Sequence, residues 1–389
     1  MPASPADPRR RLLLDLYRAA LAAVEGRRRV RAALAADAGR EAISAVAVGK
    51  AAATMMLGAV DALGDRLRRG LVVGPDDSIV RELADRPGMQ CLEAGHPLPD
   101  ERSLAAGRAV LEFAAATPPG SRVLLMVSGG ASALLEVPLP GVSLAELQRL
   151  YREATMRGLD IESLNAKRRR LSQVKGGRLP RLFAGSAVEG LMISDMPRDD
   201  PAVIGSGLLD APGCRLTLVG CLDDAQDAVL RAARAQGLSV HRIEDRLCGD
   251  AEAAARRFCH ELAFGEADLQ IWGGEAIVRL PRQPGRGGRC QHFALEAAHR
   301  IAGHPEFIVL AAATDGHDGA SEDAGAIVDG GTRQRARDAG FDLAGSLAAA
   351  NSGPPLEAAG DLIYTGATGT NVGDLVLGLR MEPASRSDM

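Results

Sequence analysis

The feature that most constrains this chain is a rhythm of short apolar runs that break at glycine or a small polar residue. AISAVAVG (42–49), GLVVGP (70–75), SRVLLMVSGG (121–130), VEGLMISD (188–195) and CRLTLVG (214–220) are such runs. A strand with one face in water alternates apolar and polar residues, whereas a strand covered on both faces does not. Helical patterns separate the runs. One extends from Lys50 to about Leu63, and ERSLAAGRAVLEFAAA follows Asp100, a natural N-cap. Strands alternating with helices predict an α/β fold with a parallel sheet covered on both faces.

The chain then changes character. Residues 138–184 read as mostly helical and highly charged. Near Arg246 the pattern resets, with a helix at about 251–262 and strands at LQIWGG (269–274) and AIVRL (276–280). A Gly/Arg loop, a helix at about 290–303, the strand EFIVLAAAT (306–314) and a final strand LIYTG (362–366) complete the prediction. The expected division is one domain over 10–250 and a second over 251–385.

Composition excludes several classes. The net charge of −4 gives no global field for nucleic acid, and aromatics are 3% of the chain, too few for a base-stacking surface. The basic start PRRRLLLDLYRAALAAVEG is interrupted by Asp15, Arg18 and Glu25, so it predicts an amphipathic helix rather than a signal peptide. No run is long and apolar enough to span a membrane. None of the six cysteines forms a Cys-x-x-Cys. A cytoplasmic enzyme with no nucleic-acid or membrane partner is the expectation, and a homodimer is left open.

In open α/β sheets, ligands bind beyond the carboxyl ends of strands. The unusual residues of this sequence stand at those points. Ser128, Gly129, Gly130 and Ser132 form a strand-to-helix turn whose backbone N–H groups suit a phosphate or carboxylate; a ligand-free tight turn is the alternative. Lys50 follows another strand end and points to the same place. Asn165, Lys175, Gly176 and Arg178 lie in a dense basic segment. Lys175-Gly-Gly-Arg178 suits a phosphate clamp, and Arg168 to Arg170 read as a solvated helix face. Asp195, followed by Asp199 and Asp200, suits Mg²⁺ or a general base. Asp315, in TDGHDG, offers a second carboxylate of that kind. Thr368, Gly369, Thr370 and Asn371 form a glycine-threonine turn able to cradle phosphates. Neither a Walker A loop nor a Rossmann G-x-G-x-x-G after a strand is present.

Taken together, these pieces resemble the glycerate 2-kinase family whose C-terminal part carries the MOFRL signature. The matching segments run in order: VGKAA (48–52), GHPLPD (95–100), VSGGASALLEVP (127–138), LNAKRRRLSQVKGGRLP (164–180) and SDMPRDDPAVIGSG (194–207). GGEAIVRL (273–280), GRGGRCQHFAL (285–295), TDGHDGASEDAGA (314–326) and TGATGTNVGDL (365–375) complete them. The resemblance implies an N-terminal Rossmann-like three-layer domain, a C-terminal MOFRL-type α/β domain and a cleft between them. It implies transfer of the γ-phosphoryl of ATP, with Mg²⁺, to the 2-hydroxyl of D-glycerate or a related hydroxy-acid. Lys50 and Arg289 match positions expected in the active site, with Asp195 or Asp315 holding metal or accepting the hydroxyl proton. The chain departs from the family at Arg198, Leu208, Cys290, His292, Ser352 and Ala367. The alternatives are a hydroxypyruvate reductase, a label this family often carries, or a weakened ligand-binding relative.

Overall fold

The computed structural model describes residues 7–157 and 161–381. The chain forms two compact units. The first comprises Val24–Cys221 and Gly369–Val372; the second comprises the chain through Ala23, Leu222–Thr368 and the chain from Gly373. No helix among the described residues is long and apolar enough to cross a membrane.

The division differs from the expected one in three places, each for a local reason. Helix α1 (Pro8–Val24) packs, through Ala23, with the second unit. Arg10 is pinned there by Asp361 at 2.5 Å, Arg9 donates to the Pro305 carbonyl at 2.6 Å, and the Tyr17 hydroxyl donates to Ala313 O at 2.6 Å. The boundary expected at 250 falls instead at 221/222, because helix α7 (Leu222–Ala235) and a short strand at 240–242 pack on the second unit's sheet. Residues 369–372 join the first unit: Gly26 N donates to Gly369 O at 3.2 Å, and Thr370 Oγ1 to Val24 O at 2.7 Å.

In the first unit, helices α2 (Gly26–Leu34), α3 (Ala52–Leu63), α4 (Glu101–Ala115), α5 (Leu144–Arg157) and α6 (Ile161–Leu171) accompany one sheet. Its strands are β1 (Ile43–Val48), β2 (Leu67–Gly74), β3 (Met89–Glu93), β4 (Arg122–Val127), β5 (Ala187–Ile193) and β6 (Arg215–Gly220). All pairings are parallel and the order is β3-β2-β1-β4-β5-β6, the doubly wound arrangement. Successive side chains take opposite faces. Val46 and Val48 join a core with Val110 and Phe113 of α4, while α3 packs on the sheet from Met56 near Gly70. The α4 start confirms its sequence signal: Asp100 accepts from Ser103 N at 3.1 Å, and Ser103 Oγ accepts from Asp100 N at 3.1 Å.

In the second unit, α8 (Ala251–Phe264) and α9 (Arg289–Arg300) pack with a sheet of β7 (Val240–Arg242), β8 (Leu269–Gly274), β9 (Phe307–Ala313), β10 (Gly325–Asp329), β11 (Leu362–Ile363) and β12 (Asp374–Arg380). The order is β11-β10-β9-β12-β8-β7, and every pair but β7–β8 is antiparallel. Two expectations are corrected here. AIVRL (276–280) is not a strand; both edges of β8 are taken by β12 and β7, and Ile277 and Leu280 stay exposed. The strand at 362–366 pairs only over Leu362–Ile363, and the last strand is β12, which lies in the middle of the sheet. β12 was hidden by Gly378. A Cβ there would come within 2.7 Å of the Phe258 ring, so glycine is what lets α8 approach.

Candidate active site

The first unit's strand order reverses between β1 and β4, and the loops leaving β1, β4 and β5 carry Lys50, Ser128–Gly130 and Asp195. Three adjacent strands thus deliver these groups to one crevice, where an open sheet offers a ligand site. The two turns are interlocked. Lys50 N donates to Gly129 O at 2.9 Å, and Ala51 N donates to Ser128 Oγ at 3.0 Å. Gly49 sits at φ +131° and leaves no room for a Cβ, which would lie 2.2 Å from Ser128 Oγ.

Gly129 is the pivot. A Cβ on it would lie 2.0 Å from Asp195 Oδ2 and 2.1 Å from Asn371 Nδ2. Its bare backbone therefore lets a carboxylate and an amide meet: Asn371 Nδ2 donates to Asp195 Oδ2 at 2.9 Å. On the neighbouring Gly130 a Cβ would touch Lys50 Cγ at 3.3 Å and the His96 ring at 3.1 Å. The structure thus gathers Lys50, Ser128, Gly129, Gly130, Asp195, Gly369, Thr370 and Asn371 in this unit. Gly369 O accepts from Thr54 Oγ1, which seats the turn on α3.

The basic segment behaves differently from its expectation. Lys175 is fully buried in an ion pair with Glu136, also buried, and donates to Leu135 O at 3.3 Å. Arg178 Nη1 serves the carbonyls of Arg169, Ser172 and Lys175 at 2.7–3.0 Å. Lys175 and Arg178 are thus committed to internal partners, which is not the phosphate clamp anticipated from Lys-Gly-Gly-Arg. Gly176 (φ +63°) places its N–H on Ser206 O at 3.1 Å. Asn165 is an organiser: its Oδ1 accepts from Ser206 Oγ at 2.8 Å, and Ser206 Oγ meets Ser132 Oγ at 2.7 Å. Ser206, Glu136 and Tyr151 were not singled out from the sequence; nothing local marks them, since their partners lie far along the chain.

The second unit holds a different cluster. Asp318 is buried and accepts from Cys290 N at 3.0 Å and Gln291 N at 2.7 Å, closing the start of α9. Burial, and then the charge of Asp374, push its carboxyl from 3.8 up to about 7. Burial also drives the Cys290 thiol well above its ordinary value. Arg289 grips Asp374 with Nε at 2.5 Å and Nη2 at 3.1 Å, and Nη2 also reaches Glu275 at 2.7 Å. Asp315 Oδ1 accepts from His317 N at 3.0 Å, while Thr368 Oγ1 donates to Thr314 O at 2.5 Å. His317 itself is exposed. Asp374 and Glu275 were missed as site residues, though each sits in a segment quoted for its pattern, and Asp318 is the second carboxylate of the TDGHDG loop. The TGATGTN motif therefore serves both units, Thr368 in one and Gly369–Asn371 in the other.

The family described as "domain of unknown function (DUF4147)" matches residues 12–213, and the MOFRL family matches 269–374. A D-glycerate 2-kinase of Thermotoga maritima is 34% identical over 384 residues, covering 86% of this chain and 89% of the relative. The chain belongs to the glycerate 2-kinase family. A glycerate 2-kinase of Pyrococcus horikoshii is 29% identical, covering 75% of this chain and 78% of its own. The crystal structure of glycerate kinase from Thermotoga maritima superposes with a TM-score of 0.83 at 32% identity, over 95% of this chain and 99% of that one. The expected family and α/β class are both borne out.

Proposed function

We propose that this protein is a glycerate 2-kinase that transfers the γ-phosphoryl group of ATP to the 2-hydroxyl of D-glycerate or a close hydroxy-acid. The observation that carries the reading is the meeting of Lys50, the Gly129–Gly130 turn and the Asn371-held Asp195 at the switch point of a doubly wound sheet. The family to which the chain belongs supports it. Phosphoryl transfer asks a protein mainly to position two anions and neutralise charge as it shifts. Lys50 supplies a cation beside backbone donors that suit phosphate oxygens. Asp195 accepts the proton of the acceptor hydroxyl, with the Asn371 amide orienting its carboxylate. Arg289, locked on Asp374, stabilises charge on the transferring group with its remaining Nη1.

In the second unit Asp374 is held by Arg289 and Asp318 by the backbone N–H groups of Cys290 and Gln291, so of its buried carboxylates we propose Asp315 for a magnesium ion. A bound Mg²⁺ would supply charge neutralisation for the nucleotide. Asp195 remains a second candidate ligand by its donor type. A cytoplasmic location is part of this proposal, supported by the use of ATP as donor.

Incubation with Mg-ATP and D-glycerate, tartronate or erythronate, followed by phosphorus NMR, tests the reading. A 2-phospho product is expected. Absence of phosphoryl transfer to every member sinks it, and a 3-phospho product corrects the position of attack. The dinucleotide fingerprint a reductase would use is missing from the sequence, so no NADH oxidation with hydroxypyruvate is expected.

A further inference from the structure

Helix α6 carries a guanidinium whose situation is unlike that of the other inward arginines. Arg168 lies over the Tyr151 ring, its Cζ 4.0 Å from the centroid. Tyr151 is buried and donates from its hydroxyl to Ser132 O at 2.8 Å, so the ring is fixed against the turn that follows β4. Arg168 Nη1 donates to Asn165 Oδ1 at 3.2 Å. That same oxygen accepts from Ser206 Oγ, which meets Ser132 Oγ. The guanidinium is thus oriented by stacking on one side and by an amide at one corner. Among the described residues its Nε is buried without a hydrogen-bond partner, and the side-chain hydrogen bond it makes comes from Nη1 rather than Nη2.

The charge is also unbalanced. Arg10, Arg122, Arg289 and Arg335 each lie against a carboxylate. Arg168 lies within ion-pair distance of none among the described residues. The acid nearest in effect, Glu136, is already neutralised by Lys175. Burial lowers the Arg168 pKa, as expected for a cation with too little compensating charge. A buried charge is retained at a cost unless something pairs with it. The unmet edge, Nε with Nη2, is the side of a guanidinium that grips a planar carboxylate at two points.

We infer that Arg168 binds the carboxylate of the hydroxy-acid acceptor through its Nε–Nη2 edge. This rests on the kinase reading proposed above. The carboxylate is favoured over a nucleotide phosphate because the unmet Nε–Nη2 edge is a two-point fork matched to a planar carboxylate, and Asn165 Oδ1, which joins Arg168 to the hydroxyls of Ser206 and Ser132, holds that edge in place. The glycine turns at 129–130 and 369 offer the backbone donors that suit phosphates. Arg168 then sets the substrate class: the acceptor must be an acid, and an uncharged polyol or amide of the same shape is rejected.

Steady-state kinetics of R168K and R168Q decide the matter, with D-glycerate and ATP varied separately and D-glyceramide as an uncharged acceptor. The KM for D-glycerate is expected to rise about 10- to 100-fold, the loss of a charge-assisted hydrogen-bonded contact. The KM for ATP should stay within twofold, and preference for the acid over its amide should fall by the same factor as the KM rise. A merely structural role would handicap acid and amide alike. An R168Q enzyme that folds and keeps its D-glycerate KM within twofold overturns the inference. So does a rise confined to ATP, which would make the ligand a phosphate. Should R168Q fail to fold, R168K is judged by the same criteria. If the wild-type protein phosphorylates no hydroxy-acid, the kinase reading has failed. Calorimetric binding of D-glycerate to wild type and R168K then tests the arginine alone, and equal affinities overturn it.

Discussion

The amide of Asn371 donates to the carboxylate of Asp195 at 2.9 Å, across the bare backbone of Gly129. These residues are 176 positions apart in the chain, and the contact ties a late glycine-threonine turn to the carboxyl end of β5. An amide donor on one carboxylate oxygen fixes its rotamer and stabilises the charged form, which a base must keep.

The first expectation follows from that contact. D195N keeps the shape and loses the base, so kcat should fall by about 10²- to 10⁴-fold. The far-ultraviolet circular dichroism spectrum should be unchanged. N371A should lower kcat less, because the carboxylate remains but loses its orientation. A D195N enzyme with wild-type turnover removes Asp195 from the role of base.

Much of the first unit was legible because its strands are buried on both faces, and that burial writes itself as unbroken apolar runs such as RVLLMV of β4. Residues at strand ends, Lys50 and Asp195 among them, stood out for the same reason. β12 was not legible, because Gly378 and the charged ends of DLVLGLR hide a central strand whose need for glycine comes from Phe258. Lys175 was misread because Lys-Gly-Gly-Arg looks like a clamp until Glu136 is seen facing it. Arg168 was misread in the opposite sense: within Lys-Arg-Arg-Arg it looked solvated, and only the Tyr151 ring, 17 positions earlier, reveals its fixed place. Periodicity reports burial along one element, and it carries no information about which distant side chain closes a contact.

The Lys175–Glu136 pair gives a prediction about stability. Both side chains are buried, so removing one leaves an uncompensated charge inside the protein. K175M should destabilise the fold by about 3–5 kcal/mol. The double variant K175M/E136L should recover most of that loss, since no lone charge remains. Urea unfolding of the three proteins measures both effects. A K175M protein of wild-type stability that has lost affinity for ATP would restore the clamp role.

Asp318 links stability to pH. Its carboxyl is raised from 3.8 to about 7 in the folded protein. Between those values the folded state holds a proton that the unfolded chain has released. The native state then binds more protons than the unfolded one, so stability falls as pH rises through this window. One such group changes the unfolding free energy by at most about 1.4 kcal/mol per pH unit. D318N cannot release the proton. The stability of wild type relative to D318N should therefore be greater at pH 5 than at pH 8. Guanidinium denaturation at the two pH values reads the difference, and an unchanged difference shows that Asp318 is ionised throughout.

Arg289 differs from a simple cation in the way it is held. Two of its nitrogens are engaged by Asp374, one of them also by Glu275, and this fixes the plane of the guanidinium. Lysine preserves the charge but has neither the plane nor the fork. If the charge alone mattered, R289K would keep most of the activity. If a fixed Nη1 stabilises charge as it moves onto the transferring oxygens, R289K should lose roughly 10²- to 10³-fold in kcat, the usual cost of removing one preorganised donor. The KM for D-glycerate should change little, because the contact is worth most in the transition state. Asp374 should behave as the partner of the same unit: D374N leaves Arg289 less firmly held, and combining it with R289K should cost little more than R289K alone. Full additivity of the two losses in kcat would show that Asp374 acts independently of Arg289.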